Sequence, residues 1–236
     1  ASELVNYIEI IRDTSGDLDV RGSGQVINVV LFEQLSTNSM SYEVNMDRYW
    51  DGEIQPGGSF SYGGKIGNLD FLFSGQAVAR YDFNLSKENS ILGDYSPNDT
   101  VREERTRDQT SYEYSMNLGY LINDRSSVRF NALTGLDDSD TGVDRWTTDL
   151  RALANPLEVE REVIENDRDN WEIGGDYEYN FANGNRFKIL FISNESDDGQ
   201  LRERFDVLIN SEEKNLFLDT FSKNKERIIR SSFNMD

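Results

Sequence analysis

The sequence contains neither cysteine nor histidine. The first absence excludes disulfides and thiolate metal sites, and the second removes the commonest general base and a common metal ligand. Most familiar catalytic constellations cannot be assembled, so no enzymatic activity and no cofactor are expected. Basic residues are scarce: 24 Lys and Arg stand against 44 Asp and Glu, a formal charge of −20. A nucleic-acid partner is not expected, because phosphate contacts need clustered cations. Apolar material is also thin, at 36% hydrophobic against 29% charged residues and a mean hydropathy of −0.66. A globular chain of 236 residues would ordinarily hold more in a dry core. No run of about eighteen apolar residues occurs, which excludes a transmembrane helix. Membrane-spanning strands escape that test, since they need only about ten alternating residues. Ala1, Ser2, Glu3 and Leu4 lack the basic and apolar segments of a secretory leader, and none is expected there.

What the sequence does have is a period of two. In residues 112–136, Tyr112, Tyr114, Met116, Leu118, Tyr120 and Ile122 share one parity, and Ser111, Glu113, Ser115, Asn117 and Gly119 the other. After the polar turn at Asn123, Asp124 and Arg125 the pattern resumes with Val128, Phe130, Ala132 and Leu136. Successive side chains on a strand point to opposite faces, so this is a hairpin with one apolar and one polar face. The same alternation runs from Leu69 through Phe71, Phe73, Gly75, Ala77, Ala79, Tyr81 and Phe83 to Leu85, and from Trp171 to Phe181, Phe187 and Phe191. The first of these runs is about three times the length of an ordinary soluble strand.

The connections are expected to alternate in length. Tight turns fall at 63–68, 123–126 and 182–186, whereas long charged linkers are expected at 86–108, 137–169 and 195–224. Aromatic residues fall near the tight turns (Tyr62, Phe71, Tyr120, Phe130, Phe181, Phe187) and again further along the same parity (Tyr81, Phe83, Tyr112, Trp171). A strand tilted by about 45° advances roughly 2.3 Å per residue, so a separation of about ten residues matches the ~25 Å apolar band of an outer-membrane barrel with two aromatic girdles. Small residues in mid-band, Gly75, Ala77, Ala79, Ala132 and Gly175, fit a surface whose gaps acyl chains can fill. A soluble β-sandwich also alternates, and it remains an alternative.

The first 35 residues differ from the rest. Residues 7–12 (Tyr7, Ile8, Glu9, Ile10, Ile11, Arg12) and 22–30 (Gly22 through Gln25, Val26, Ile27, Asn28 and Val29 to Val30) are two β-branched runs separated by a polar, glycine-containing stretch. Gly22 and Gly24 do not make a dinucleotide fingerprint, because the third glycine is missing and a strand follows. In this order, ahead of barrel-like hairpins, the runs resemble the closing part of the plug domain in TonB-dependent outer-membrane receptors. There an "IE-IIRG" strand, a glycine turn and a "G-VINI" strand lead into the barrel; Asp13 departs from the family's glycine. The resemblance implies a mainly β fold: the C-terminal part of a plug domain over 1–35, then the N-terminal third of a transmembrane β-barrel over 36–236, an antiparallel segment of about eight long strands. Whole members have about 22 strands around the plug. It implies a bacterial outer-membrane location, contact with outer-membrane lipid, and coupling to the TonB energy system through a segment outside these residues. It further implies import of a scarce small molecule of the iron-chelate, cobalamin or carbohydrate class. A small self-contained barrel acting as porin or structural protein is the alternative.

Candidate sites are few. Asp137, Asp138 and Asp140, with Asp144, are oxygen donors suited to a hard cation in a loop, and Trp146 is a candidate for stacking on a ligand. Glu103, Glu104, Glu158, Glu160 and Glu162 are expected to be loop or lumen charges rather than an acid–base pair.

Overall fold

The computed structural model describes the backbone of residues 5–11 and 26–31, and residues 38–151, 154 and 156–235 in full. Every element found there is a strand. β1 (Val5–Ile11) and β2 (Val26–Leu31) pair antiparallel in a sheet of their own, with Ile8 opposite Val29 and Ile10 opposite Ile27. The turn at 13–17 and the bend at Gly22 and Gly24 lie outside the described residues.

The second sheet has eight antiparallel strands in chain order: β3 (Ser39–Arg48), β4 (Ile54–Ile66), β5 (Leu69–Ile91), β6 (Pro97–Asn123), β7 (Ser126–Asp149), β8 (Leu157–Asn180), β9 (Arg186–Val207) and β10 (Glu212–Asn234). Each strand pairs with the next by a hairpin, and the sheet is open, with β3 and β10 as its edges. The expected strand number and antiparallel order hold; closure into a barrel is not present among these strands.

The connections correct the sequence-based expectation. The stretches 86–108, 137–169 and 195–224 are not long linkers but continuations of β5 to β10, with short turns at 92–96 and 208–211 and with β8 beginning at Leu157 soon after β7 ends at Asp149. Gly63, Gly64 and Lys65 likewise belong to β4, and the turn there is confined to 67–68. The physical reason is that both faces of these outer halves are polar, so hydropathy does not alternate. The backbone ladder and cross-strand pairs such as Arg145 with Glu103 and Glu160 carry the strands on without it. A strand of 24 residues such as β7 is roughly 80 Å long when extended, far more than a bilayer crossing needs. Gly67 and Gly184 hold φ of 61° and 88°, the left-handed region that tight turns require and that glycine adopts without strain.

The register assigns two faces. On one, rows run Tyr62, Phe73, Met116, Ala132, Ile173 and Phe60, Gly75, Tyr114, Thr134, Trp171; on the other, Ser74, Ser115, Leu133, Glu172, Asn194. Every aromatic proposed from the sequence as part of a girdle falls on the apolar face: Tyr62, Phe71, Tyr81, Phe83, Tyr112, Tyr120, Phe130, Trp171 and Phe187 by register, and Phe181 by its edge-on contacts with Tyr179 and Phe233 at 4.8 and 5.7 Å. Among the described residues nothing covers this face. Tyr42, Val44 and Ile229 are 77%, 84% and 81% exposed, and Phe71 and Val143 are the buried hydrophobic residues among those described. A sandwich would bury these rows between sheets. Gly75 also corrects the idea of mid-band gaps: a Cβ there would lie 2.5 Å from the Phe60 ring and 2.9 Å from Tyr114, so neighbouring aromatics close over it.

The apolar face has sloping limits. Counted from the tight turns, the apolar run ends at Tyr112 on β6 and at its partner Leu136 on β7. It ends at Trp171 on β8, opposite Thr134, then at Phe191 on β9, opposite Gly175, and at Ile229 on β10, opposite Phe191. The limit thus falls by about six residues over about four strands, which at ~3.4 Å per residue and ~4.8 Å per strand is a slope of roughly 45° to the hydrogen-bonded rows. The tight turns step the same way: Asn68 O accepts from Leu121 N before β6 ends at Asn123, and Arg125 O accepts from Asn180 N just ahead of the turn at 181–185. Upper and lower limits step in the same direction from β6 to β10, oblique to the rows, while the run itself shortens from Leu69–Leu85 on β5 and Tyr112–Ile122 on β6 to Phe187–Phe191 on β9.

Candidate functional site

The cation site expected at Asp137, Asp138, Asp140 and Asp144 is not assembled. All four lie on β7, not in a loop, and alternation divides them: Asp137 shares the polar face with Ser111 and Arg168, while Asp138, Asp140 and Asp144 stand on the face that carries the apolar band. Strand geometry separates neighbours that a loop could have folded around one ion. Among the described residues no cluster of three or more carboxylates is arranged to hold a metal.

Beyond the band, that face becomes acidic. Asp108, Asp140 and Glu165 are directly opposite one another, as are Asp138 and Asp167, and Asp169 and Asp197. Directly opposed like charges disfavour pairing. Asp140, which lies outside the band, accordingly has its pKa pushed above the usual aspartate range by burial and by Asp138, Asp108 and Asp167. Gln55 answers one of these carboxylates, donating to Asp108 at 3.2 and 3.3 Å.

Trp146 also lies on β7, opposite Arg102 and Val159, and lines a shallow recess with Leu85, Lys87 and Glu104. Nearer the tight turns, in the rows of Asp108 and Thr106, Tyr49 packs edge-on against Tyr81 at 5.3 Å and Trp50 against Phe83 at 5.0 Å. Neither Tyr49 nor Trp50 was marked by alternation, because both sit in the turn between β3 and β4; their place just before Asp51 and Gly52 was the available signal.

On the polar face the glutamates serve an ion-pair ladder. Arg145 donates to Glu103 at 2.8 and 3.1 Å and to Glu160 at 3.4 Å, and these bonds, Glu103 first, raise its pKa. Glu162 is buried against Arg202, while Glu104 belongs to the opposite face. Glu103 and Glu160, expected as loop or lumen charges, lie on β6 and β8 and flank Arg145. With these side chains partly exposed, each pair contributes at most about 1 kcal/mol.

The same face holds a groove of about 510 Å³ crossing β6 to β10. Its axis is a register row of neutral side chains: Gln109, Ser139, Asn166, Gln200 and Thr220. Gln109 donates its amide to both oxygens of Asp137 at 3.1 and 2.9 Å, and Ser111 adds a bond of 2.7 Å. Gln200 donates to Asn166 Oδ1 at 2.8 Å, Asn166 to the Ser139 carbonyl at 3.3 Å, and Arg107 Nε to Ser139 Oγ at 3.1 Å. Arg168 is engaged by Asp198. Sequence reasoning missed this row because its members are spread along the chain and only the register aligns them.

No family model matches the chain, and no curated protein matches it.

Proposed function

We propose that β3 to β10 form part of the wall of a bacterial outer-membrane β-barrel of the TonB-dependent receptor kind, a transporter that takes up a scarce small molecule. The apolar face meets lipid, the polar face lines the lumen, and the turns at 67–68, 124–125 and 181–185 lie at the periplasmic rim. The outer halves of the strands rise above the membrane into water.

One observation carries this proposal: a coreless sheet bears an exposed apolar band whose upper limit crosses the rows at roughly 45° from β6 to β10. A barrel whose strands tilt by about 35–45° from the axis needs that obliquity for the band to lie level in a bilayer. The open edges point the same way, since β3 and β10 leave backbone donors and acceptors that only further strands can satisfy in lipid. The receptor assignment rests on the resemblance of residues 7–30, which the separate antiparallel pairing of β1 with β2 supports. A self-closing eight-stranded barrel has less support, because β3 and β10 are not paired with each other.

Detergent-dependent folding tests the membrane assignment. The chain is expected to fold only with detergent or lipid and to migrate differently on gels before and after boiling. A folded, monodisperse monomer in plain buffer would overturn it.

A further inference from the structure

Resting on the lumen assignment above, we propose that Arg80, Arg105 and Arg107, on the polar face of β5 and β6, form a binding site for a phosphate-type oxyanion, best filled by a diphosphate group.

The missing counter-ions are the first reason. On the same face Arg145 pairs with Glu103 and Glu160, Arg168 with Asp198, Arg202 with Glu162 and Arg204 with Glu160. Arg80, Arg105 and Arg107 make no ion pair among the described residues, although acids outnumber bases by 44 to 24 in the chain. Asp82 stands opposite Arg107 and is engaged by none of the three. They are also neighbours. Arg105 and Arg107 are two residues apart on β6, about 7 Å, and Arg80, opposite Gln109, is the diagonal neighbour of Arg107 at about 7–8 Å. Like charges this close repel, and a bound anion removes the repulsion.

Preorganisation is the second. Arg107 donates from Nε to the hydroxyl of Ser139 at 3.1 Å, and Ser139 is only 2% exposed, so a buried group fixes the guanidinium plane. The two Nη groups have no protein partner and form the free edge of the fork where Arg107 lines the groove. Asp137 and Asp198 line the groove too, but their shared row lies two steps down the face from Arg107. Both are engaged, Asp137 by Gln109 and Ser111 and Asp198 by Arg168 and Ser196. Arg107 stands five residues beyond Tyr112, the upper limit of the apolar run on β6, which puts the site in water at the outer mouth of the lumen.

Arginine chemistry selects the ligand. One guanidinium fork satisfies a carboxylate, whereas the tetrahedral oxygens of phosphate accept from several forks that approach from different strands. Two linked phosphates reach more of the three arginines than one does, so pyrophosphate should bind more tightly than phosphate.

The test uses the full chain folded into a polyoxyethylene detergent at low salt, where screening is weak. Calorimetric titrations with sodium pyrophosphate, sodium phosphate and ferric citrate are compared. Pyrophosphate is expected to bind most tightly, and the double variant Arg105→Gln with Arg107→Gln should weaken it by about tenfold or more. Arg125→Gln with Arg227→Gln removes the same charge at the tight-turn rim and on the other face of β10, and should leave binding nearly unchanged. Heat-modifiable gel mobility is read on every sample. A correctly folded chain overturns the inference, while the barrel proposal stands, if it binds no pyrophosphate, prefers ferric citrate, or loses equal affinity in both double variants. Failure to fold in detergent overturns both.

Discussion

Ala132 and Leu133 are adjacent on β7 and point to opposite faces, so an arginine at each position measures which face meets lipid. Ala132 lies midway between Val128 and Leu136, the ends of the apolar run on this strand, roughly 9 Å of membrane depth from each at ~2.3 Å per residue. Its row neighbours Met116 and Ile173 offer no anion, so Ala132→Arg must desolvate a guanidinium at mid-band. Leu133 stands opposite Ser115 and Glu172, and Leu133→Arg gains a carboxylate neighbour in a wet lumen. In vesicles, urea unfolding should cost Ala132→Arg about 2–4 kcal/mol, while Leu133→Arg stays within about 1 kcal/mol. Depth supplies an internal control: Val128→Arg, near the tight turn, should cost only about 0–1 kcal/mol. Equal small losses at Ala132 and Leu133, or a larger loss at Leu133, would refute the lipid-facing assignment. So would a penalty that does not decline toward Val128.

Gly75→Val should destabilise the sheet by about 1–3 kcal/mol, because the new side chain displaces the Phe60 and Tyr114 rings that close over the glycine, whereas the same change at Gly93, with open space around it, should be far milder; urea titration in the same vesicles reads both. Asp140 binds its proton more tightly in the fold than in the unfolded chain, so between the unfolded value and the raised folded value the native state carries more protons and stability falls as pH rises. Lowering the pH from 7 through that window should therefore raise stability, and Asp140→Asn should be more stable than the parent at pH 7 with a flatter pH profile; an unchanged profile would remove Asp140 as its source.

Alternation was legible in the lower half of each strand because one face there carries apolar side chains and the other polar ones. That asymmetry located the apolar parity of β5 to β9 and the turns at Asn123 to Arg125 and at Asn183 and Gly184. Above the band the asymmetry disappears. Residues such as Arg105, Thr106 and Arg107 alternate in nothing a hydropathy pattern can register, so the upper halves of β5 to β10 read as loops, and Asp137 and Asp138 read as one cluster.

The sequence by itself determined the strand character, the apolar parity, which aromatics share the apolar face and the lack of cysteine and histidine chemistry, because each is a property of residue type or of spacing along one strand. Only the tertiary structure decided what depends on register between strands. The limits of the apolar face step down from Tyr112 to Ile229, Asp137 is parted from Asp138 and Asp140, and Gln109, Ser139, Asn166, Gln200 and Thr220 come into one row although more than a hundred residues separate the first from the last. Shifting one strand by a single residue would send every side chain on it to the other face, and only the paired backbone fixes which residues share a row.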